Sequence, residues 1–239
     1  MPYKINAIGK SVLLISDTHI PYSHPDYLVF LASIKKIYKP DIIIHGGDEV
    51  DCHAISFHDS DSSLLNADAE LDRAIEELQD GMHMMFPKMY LLESNHGSLI
   101  YRKMKSNGLP IRHLKPLPEL YGTPKWSWHE DILLLTEQGP TYICHGKTSA
   151  YGKLCKEMMT NAIQFHFHGK AEITYHKSVM GTRYNMYCGC LVDETSMAMA
   201  YARNNLPKAV HAVGFINQLG NPYLIRMNLK ADGRWDGKL

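Results

Sequence analysis

The 239-residue chain is 45% hydrophobic and 21% charged, which is typical of one sizeable globular domain, here spanning residues 1–239. Its 25 basic residues balance its 25 acidic ones, and this neutral charge disfavours proteins that bind long stretches of nucleic acid backbone. The five cysteines lack the spacing of a disulfide framework, and no apolar stretch is long enough to cross a membrane. We therefore expect a cytoplasmic protein that makes no membrane contact.

The first half of the chain alternates between apolar strands and amphipathic helices. Apolar runs predict strands at 11–16, 41–45 and 88–93, and apolar residues at helical spacing predict helices at 25–38 and 62–78. This rhythm is typical of βαβ units with parallel strands. Ligands of such sheets bind at the carboxyl ends of the strands, and here a polar cluster follows each of the three.

The second half is predicted to contain fewer helices and more antiparallel strand pairs. Three hairpin turns are predicted, one at Gly139, one at Gly181 and one near Gly220. The other predicted elements are strands at 126–135, 141–144 and 162–168 and a short helix at 151–159.

Metal-ligating residue types gather at the ends of the predicted strands. They are Asp17, His19, Asp48, Asp51, Asn95, His96, His145, His166 and His168. Oxygen and imidazole donors drawn from five separate strand ends fit a pair of divalent metal ions. Side chains two positions apart in an extended segment point the same way, so Asp17 and His19 should face one ion, as should His166 and His168.

Any one of these residues has an ordinary alternative, a polar side chain that caps a helix at a strand end. Together they favour a metal site, because several buried charges in one place are rare unless a cation compensates them. Gly46 and Gly47 let the backbone turn tightly before Asp48. The neighbouring Glu49 is expected to face solvent, and His45 is expected to lie at the surface or behind the site.

Five short motifs, SDTH, GGDEVD, SNHG, CHG and FHFHG, follow one another between Asp17 and Gly169, over about two-thirds of the chain. Their order resembles the calcineurin-like metallophosphoesterases, whose pattern runs DxH, GDxxD, GNH, a lone His and GHxH. The later GCLVDE stretch and the tail are most similar to phage-encoded members, which work in the host cytoplasm. The resemblance implies an α/β fold, a four-layer α/β/β/α sandwich with two mixed β-sheets.

The resemblance also assigns a role to each motif residue. It implies seven metal ligands, with Asp17, His19 and His168 for a first ion, Asn95, His145 and His166 for a second, and Asp48 bridging both. His96 would lie beside the bound phosphate and help the leaving oxygen depart. Asp51 would orient His19 by accepting its free N–H. The implied cofactors are two divalent metal ions, with Mn²⁺ preferred and Fe, Zn, Ni, Co or Mg as alternatives.

Two such ions make a particular chemistry available. Cations about 3.5–4 Å apart share a water, lower its pKa towards neutrality and clamp phosphoryl oxygens. A metal-bridging hydroxide would attack phosphorus in line, while the ions and His96 neutralise the developing charge. This reaction needs no nucleophilic side chain.

The chain departs from the family pattern at four places without losing a metal ligand. Ser94 stands where Gly usually precedes Asn-His, and Gly97 replaces an acidic residue that would orient His96. Cys52 stands where Arg is common, and Phe165 replaces the Gly before the last His pair. We expect these changes to affect substrate preference and the orientation of His96.

The predicted function is hydrolysis of a phosphate ester by a metal-dependent phosphoric ester hydrolase. Neutral charge and a compact chain favour a small phosphomonoester, with a nucleoside 5′-monophosphate as the leading substrate. One alternative is a phosphodiesterase or nuclease acting on DNA or RNA. Another is a non-catalytic scaffold of the same fold, which is disfavoured because every metal ligand is present. Arg102, Lys147 and His53 are the predicted substrate contacts.

Overall fold

Two six-stranded β-sheets form the centre of the computed structural model, which describes residues 1–56, 64–202 and 208–239. In chain order the strands are β1 (Tyr3–Asn6), β2 (Val12–Ile15), β3 (Ile42–His45), β4 (Met89–Leu92), β5 (Trp126–His129), β6 (Asp131–Thr136), β7 (Gly139–Cys144), β8 (Asn161–Gln164), β9 (Ala171–Ser178), β10 (Gly181–Cys188), β11 (Ala212–Ile216) and β12 (Pro222–Arg226). One sheet has the order β1-β6-β7-β8-β10-β9, and the other has the order β12-β11-β2-β3-β4-β5. Both sheets mix parallel and antiparallel pairs.

The helices are short and lie between the strands. They are α1 (Tyr27–Tyr38), α2 (Ala67–Glu77), α3 (Leu99–Ser106), α4 (Leu117–Leu120) and α5 (Lys153–Met158). A π-helical turn, Leu78–His83, continues α2, and 3₁₀ turns occupy His53–Ile55, Ile111–His113 and Met197–Ala202. Within the described ranges, no helix has the length and apolarity that crossing a membrane requires.

Three apolar clusters separate four layers. The first lies between the β2-containing sheet and helices α1 and α2, the second lies between the two sheets, and the third lies under α5. Representative members are Leu13, Phe30 and Ala74 in the first, Leu14, Ile44 and Ile163 in the second, and Tyr142, Leu154 and Ala162 in the third. This arrangement confirms the predicted α/β/β/α sandwich with two mixed sheets. Central strands such as Val12–Ile15 read as unbroken apolar runs because both of their faces are covered.

The element boundaries differ from the predicted ones where the chain changes sheet or direction. The predicted strand at 126–135 is two strands, because the chain passes from the end of β5 in one sheet to the start of β6 in the other at Glu130. The turn between β9 and β10 lies at 179–180, two residues before the predicted Gly181, and the turn before β7 likewise lies at 137–138. The predicted helix start at 62 lies outside the described residues, and β1 and α3 were not predicted at all.

The carboxyl ends of five strands face one region. Strands β2, β3 and β4 are parallel neighbours in one sheet, and β7 and β8 are parallel neighbours in the other. The loops that follow them carry, in chain order, the five polar motifs of the sequence. The fold therefore brings the motif residues to a common edge, as expected for parallel strands.

A pairing between the start of α1 and the C-terminal segment gives a pH-dependent contribution to stability. The guanidinium Nε of Arg234 donates to Asp26 Oδ2 at 2.8 Å, and the backbone N–H of Trp235 donates to the same oxygen at 2.9 Å. The hydrogen bond from Arg234 holds the pKa of Asp26 below its ordinary value. Because the folded pKa is depressed, the contribution is fully present above the unfolded pKa of about 4 and is lost progressively as the pH falls from there through the lower folded pKa.

We accordingly expect Asp26→Asn to lower the Tm at pH 7 by about 2–4 °C, and to lower it less at pH 3, where Asp26 of the unfolded chain becomes protonated and the contribution shrinks. Thermal unfolding followed by circular dichroism at both pH values measures this effect. Asp72→Asn, which neutralises an exposed carboxylate on α2, is the control and should shift the Tm little at either pH. A difference between parent and Asp26→Asn that stays constant from pH 7 to pH 3 contradicts the assignment.

Candidate metal centre

Nitrogen and oxygen donors form two adjoining groups at this common edge, in which His166 is exposed, His168 is partly buried and the other donors are buried. One group contains Asp17, His19, Asp48 and His168, and the other contains Asp48, His145 and His166. Within each group the potential ligand atoms lie within 4.8 Å of one another. Asp48 belongs to both groups, so its carboxylate stands between two positions that suit cations.

The first group is arranged by a hydrogen bond behind His19. The Nδ1 of His19 lies 2.6 Å from Asp51 Oδ1, so its proton is directed at that carboxylate. The opposite nitrogen, Nε2, lies 3.1 Å from His168 Nε2 and 3.7 Å from Asp48 Oδ2. With Nδ1 as the donor, a neutral His19 presents a lone pair towards these acceptors, which is the tautomer that a metal ligand needs.

The second group has the same kind of arrangement around His145. Its Nδ1 lies 2.8 Å from the carbonyl oxygen of Gly46, which accepts the proton of that nitrogen. Its Nε2 then faces Asn95 Oδ1 at 2.7 Å and Asp48 Oδ2 at 3.2 Å. Asn95 thereby joins the group that also contains His166. One amide oxygen, one carboxylate oxygen and one imidazole nitrogen therefore point at one another. A cation between them would accept the lone pairs of all three atoms.

The charges in the cluster support the same conclusion. Burial raises the pKa of Asp17 to about 6, whereas His145, against the effect of burial, holds the pKa of Asp48 well below its ordinary value. Burial also opposes the charged forms of His19 and His145, but the neighbouring carboxylates raise both pKa values to about 9. In the metal-free protein, the protons on His19 and His145 thus compensate the negative charge of the carboxylates. A divalent cation would take the place of these protons. The donor set fits the expected metal ions.

Left-handed backbone at the site shows that the chain is strained there. Of the seven non-glycine residues with positive φ in the described part, five lie in the motif loops, namely Asp17 (29°), His19 (49°), Asp48 (50°), Cys52 (54°) and His166 (71°). Each such residue costs on the order of 1 kcal/mol, and clusters of them are typical of functional sites.

The left-handed backbone also differs from the extended segments predicted for these residues. Strands β2 and β8 end before the motif residues, so neither His19 nor His166 lies in an extended segment. The prediction that His166 and His168 face one ion by strand alternation is wrong, since the structure places them in different donor groups. Asp17 and His19 do share a group, but a left-handed loop brings them together.

Ser94, a departure from the family pattern, ties two motif loops together. Its hydroxyl oxygen accepts the backbone N–H of Asp48 at 2.8 Å and that of Gly97 at 3.1 Å. A β-carbon on Gly47 would lie 2.6 Å from the β-carbon of Ser94, so a glycine is required opposite this serine. Sequence reasoning treated Ser94 only as an irregularity, although a hydroxyl beside Asn-His was the available signal.

A second supporting residue, His45, was expected at the surface or behind the site and is fully buried behind it. Its Nδ1 accepts the backbone N–H of Gly47 at 3.2 Å, and its Nε2 lies 3.1 Å from the hydroxyl of Thr18. Burial lowers the pKa of His45 to about 3, so the ring stays neutral and can act as this acceptor. It joins the loop of Asp17 to the loop of Asp48.

Glu49 does not face solvent as predicted. Its side chain is 1% exposed, and its Oε1 accepts the indole N–H of Trp128 at 2.9 Å. Burial raises the pKa of Glu49 to about 7. The left-handed turn at Asp48 precedes it, and Gly97 lies beside the carboxylate, where a β-carbon would be in van der Waals contact with Oε1 at 3.4 Å.

Asp51 supplies the contact that His96 was expected to lack. The Nδ1 of His96 lies 2.5 Å from the backbone carbonyl oxygen of Asp51 and 3.3 Å from its Oδ1. The backbone N–H of His96 donates to Asp48 Oδ1 at 3.0 Å. The His96 ring stands edge-on to His19, with 4.6 Å between the ring centroids. Gly97 in place of an acidic residue therefore leaves His96 anchored.

A pocket of about 470 Å³ opens beside the second donor group. Its lining includes Asn95, His145 and His166 together with Arg102 and Lys147, two of the three predicted substrate contacts. The Nζ of Lys147 lies 3.1 Å from Asp131 Oδ2, and Arg102 Nε donates to Ser98 Oγ at 3.2 Å.

The third predicted contact, His53, is placed differently. It is 4% exposed and is not part of the pocket lining. Its backbone N–H donates to Glu70 Oε1 at 2.6 Å, and its Nδ1 lies 3.8 Å from Asp51 Oδ2. His53 therefore lies behind Asp51, on the side away from the donor groups.

Gly46 and Phe165 are adapted to each other, and this gives a testable stability prediction. A β-carbon at position 46 would lie 2.1 Å from Cγ of Phe165, whose ring is 1% exposed. Gly46→Ala is expected to lower the free energy of unfolding by roughly 3 kcal/mol in urea titrations. Gly9→Ala has no atom within 4 Å and should cost only about 1 kcal/mol for its left-handed φ.

The double variant Gly46→Ala/Phe165→Ala tests the cause of that loss. Phe165→Ala alone leaves a cavity and should cost about 3–5 kcal/mol. The added methyl group at position 46 then meets no ring, so the double variant should be more stable than the sum of the two single losses. Strict additivity would show that the ring is not what excludes a side chain at position 46.

A sequence profile of the calcineurin-like phosphoesterase family matches residues 10–210, and the chain therefore belongs to that family. No curated protein sequence matches it significantly. Among solved structures, vacuolar protein sorting 29 from Cryptosporidium parvum aligns with a TM-score of 0.54 at 15% identity, covering 96% of this chain and 93% of that one. This likeness concerns the fold.

Two further solved structures align less closely. YfcE, a phosphoesterase from E. coli, has a TM-score of 0.42 at 13% identity, covering 91% of this chain and 100% of that one. Vps29 from Chaetomium thermophilum has a TM-score of 0.42 at 10% identity, covering 95% of this chain and 90% of that one.

Proposed function

We propose that this protein hydrolyses a phosphate ester with two divalent metal ions, and that its substrate is a nucleoside 5′-monophosphate. The observation that carries the proposal is the pair of donor groups joined by Asp48. Bound ions in such a pair lower the pKa of a shared water and neutralise phosphoryl oxygens. The proposed holders are Asp17, His19 and His168 for one ion, Asn95, His145 and His166 for the other, and Asp48 for both.

Several residues of the chain prepare this site without touching a metal ion. Asp51 keeps the His19 proton on Nδ1, and the carbonyl of Gly46 does the same for His145, so both imidazoles present Nε2 as a ligand. Ser94 and His45 hold the loop of Asp48 in its left-handed turn through the hydrogen bonds to its backbone. The mixed nitrogen and oxygen donors suit Mn²⁺.

His96 is proposed as the residue that gives a proton to the leaving oxygen. The contact of its Nδ1 with the Asp51 carbonyl fixes the ring and leaves Nε2 for the substrate. Arg102 is the cation in the wall of the adjoining pocket that is placed to meet an anionic phosphate, whereas Lys147 is paired with Asp131. All five cysteine thiols are free, which is compatible with the expected cytoplasmic location.

A second candidate function, cleavage of phosphodiesters in a nucleic acid strand, is favoured by a row of aromatic rings beside the site. His166 contacts Phe167 with 5.1 Å between centroids, Phe167 contacts Tyr187 at 5.7 Å, and Tyr187 contacts Tyr151 at 6.3 Å. The Nζ of Lys170 lies 4.1 Å from the ring centroid of Tyr151. His166 and Tyr151 are exposed and offer rings on which a single strand stacks, whereas Tyr187 is 1% exposed and supports them from behind.

The two functions are separated by a substrate panel with Mn²⁺-reconstituted protein. The panel contains p-nitrophenyl phosphate, bis-p-nitrophenyl phosphate, the nucleoside 5′-monophosphates, and single- and double-stranded DNA. We expect turnover of the monophosphates, and we expect Tyr151→Ala to leave it unchanged. Cleavage of DNA without cleavage of mononucleotides, together with its loss in Tyr151→Ala, would establish the nuclease instead. Inactivity on every substrate with two metal ions bound would establish the non-catalytic scaffold.

A further inference from the structure

A second, larger cavity lies on the other side of α3 from the pocket at the metal centre. It has a volume of about 690 Å³, which is in the range of cavities that hold small organic ligands. Its lining is mostly apolar and aromatic and includes Ile100, Tyr101, Leu117, Leu120, Tyr121 and Trp128. Tyr101 is 43% exposed, whereas Tyr121 is 1% exposed, so the cavity runs from the surface into the core.

One buried charged group on the cavity wall has an unused hydrogen-bonding atom. Glu49 lines the cavity and is 1% exposed, and its Oε1 is occupied by the indole N–H of Trp128. Its Oε2 has no hydrogen-bond partner among the described residues. A buried polar atom without a partner is costly, so this oxygen calls for a donor from a molecule in the cavity.

Gly97 keeps the approach to this carboxylate open. A β-carbon at position 97 would lie 3.4 Å from Glu49 Oε1 and 3.7 Å from Oε2, on the cavity side, since Gly97 also lines the cavity. The acidic residue that is usual at this position of the family pattern would fill that space and repel the carboxylate. The glycine at position 97 therefore leaves the buried carboxylate of Glu49 accessible from the cavity.

The cavity adjoins the metal centre through shared residues. Ser94 and Ser98 line both the cavity and the pocket beside Asn95 and His145. The pocket and the cavity therefore share a wall. A molecule whose phosphate lies at the metal centre can place another part in the apolar, aromatic cavity. An apolar space with one buried acceptor suits a planar heteroaromatic ring that carries an N–H donor.

We propose that this cavity binds the purine base of the nucleotide substrate, with Glu49 Oε2 accepting an N–H of the base. The identity of the substrate rests on the proposed function, but binding of a purine by the cavity does not. Trp128, held by Glu49, and Tyr121 supply the aromatic walls, with 6.0 Å between their ring centroids. Glu49 is then the residue that selects bases with a donor.

Calorimetric titration of the metal-free protein with nucleosides, which lack a phosphate, tests the proposal separately from hydrolysis. The probes are adenosine and inosine, whose bases carry N–H donors, and purine riboside, whose base carries none. Because Glu49 Oε2 accepts a hydrogen bond from such a donor, adenosine or inosine should bind about tenfold or more tightly than purine riboside. Equal affinities of all three, or binding of none, would overturn the proposal.

Glu49→Gln and two further variants identify the group responsible. The glutamine retains an oxygen for Trp128 and turns an N–H₂ towards the cavity, so the preference for donor-bearing bases should fall to about one. Glu119→Gln, an exposed change on α4 outside the cavity lining, should keep the parent preference. An unchanged preference in a folded Glu49→Gln protein excludes Glu49 as the selecting group.

Leu120→Trp fills the cavity at a distance from the metal ligands and does not depend on Glu49. It should abolish nucleoside binding and raise KM for adenosine 5′-monophosphate about tenfold or more, while p-nitrophenyl phosphate turnover stays at the parent level. Loss of nucleoside binding with an unchanged KM for the nucleotide would show that the base of the substrate does not occupy the cavity. If the protein hydrolyses no nucleotide, the proposed function fails, and the nucleoside titration still decides whether the cavity binds purines.

Discussion

Replacing Asp48 by asparagine is expected to abolish two-metal binding and phosphoesterase activity together. The carboxylate is 1% exposed and is the one donor common to both groups, so its loss removes a ligand from each ion and one negative charge between them. An amide oxygen ligates more weakly and cannot neutralise two cations. We expect the affinity for Mn²⁺ to fall by more than about 100-fold, since even supporting residues are worth 10–100-fold.

Asparagine is the informative replacement because it keeps the shape of the site. Asp48 has φ +50°, a left-handed conformation that asparagine adopts readily and alanine does not. The backbone hydrogen bonds to Asp48, from its own N–H to Ser94 and from the N–H of His96 to Oδ1, have counterparts in the variant. A loss of metal in Asp48→Asn would therefore result from the lost negative charge and not from a changed loop conformation.

Metal content per chain, determined by mass spectrometry after dialysis against Mn²⁺, measures the result. Glu130→Gln is the control, since Glu130 is an exposed carboxylate in the pocket lining that belongs to neither donor group. It should keep two ions. Two ions retained by Asp48→Asn at the parent affinity would show that Asp48 does not bridge.

The central strands of the β2-containing sheet were readily predicted because they are largely buried on both faces. Val12–Ile15 and Ile42–His45 lie in the middle of a sheet, and a strand covered on two sides requires an unbroken apolar run that stands out in the sequence. Helix α3 has the opposite character. It has eight residues, of which only Leu99 is buried, and about two helical turns are too short for a periodic pattern to stand out in the sequence.

Donor residues were predictable because their chemical types and order are unusual, whereas their geometry was not. The left-handed turns at Asp17 and His19 arise from contacts with other loops, such as the N–H of His19 on the carbonyl of Asp48. The burial of Glu49 depends on Trp128, 79 positions further along the chain. Neither contact can be inferred from the neighbouring residues in the sequence, so neither was predicted.

His96→Ala is expected to keep both metal ions and to lose most of the turnover of substrates with a poor leaving group. The proposed metal ligands do not include His96, and its proposed role is the supply of a proton to the leaving oxygen. Proton donation by a positioned side chain is worth about 10²–10⁴ in rate. A substrate whose leaving group needs no proton gains little from it.

The comparison of two leaving groups distinguishes proton donation from other roles of His96. Nitrophenolate leaves as a stable anion, so p-nitrophenyl phosphate should lose little kcat in His96→Ala, whereas phenyl phosphate and a nucleoside monophosphate should lose the full factor. A residue that only binds the phosphate would cost all three substrates equally. Because the ring is anchored at Nδ1 by the carbonyl of Asp51, Nε2 is the atom left to meet the leaving oxygen in the proposed role. Equal losses on all substrates, with two ions bound, would therefore assign His96 to phosphate binding instead of proton transfer.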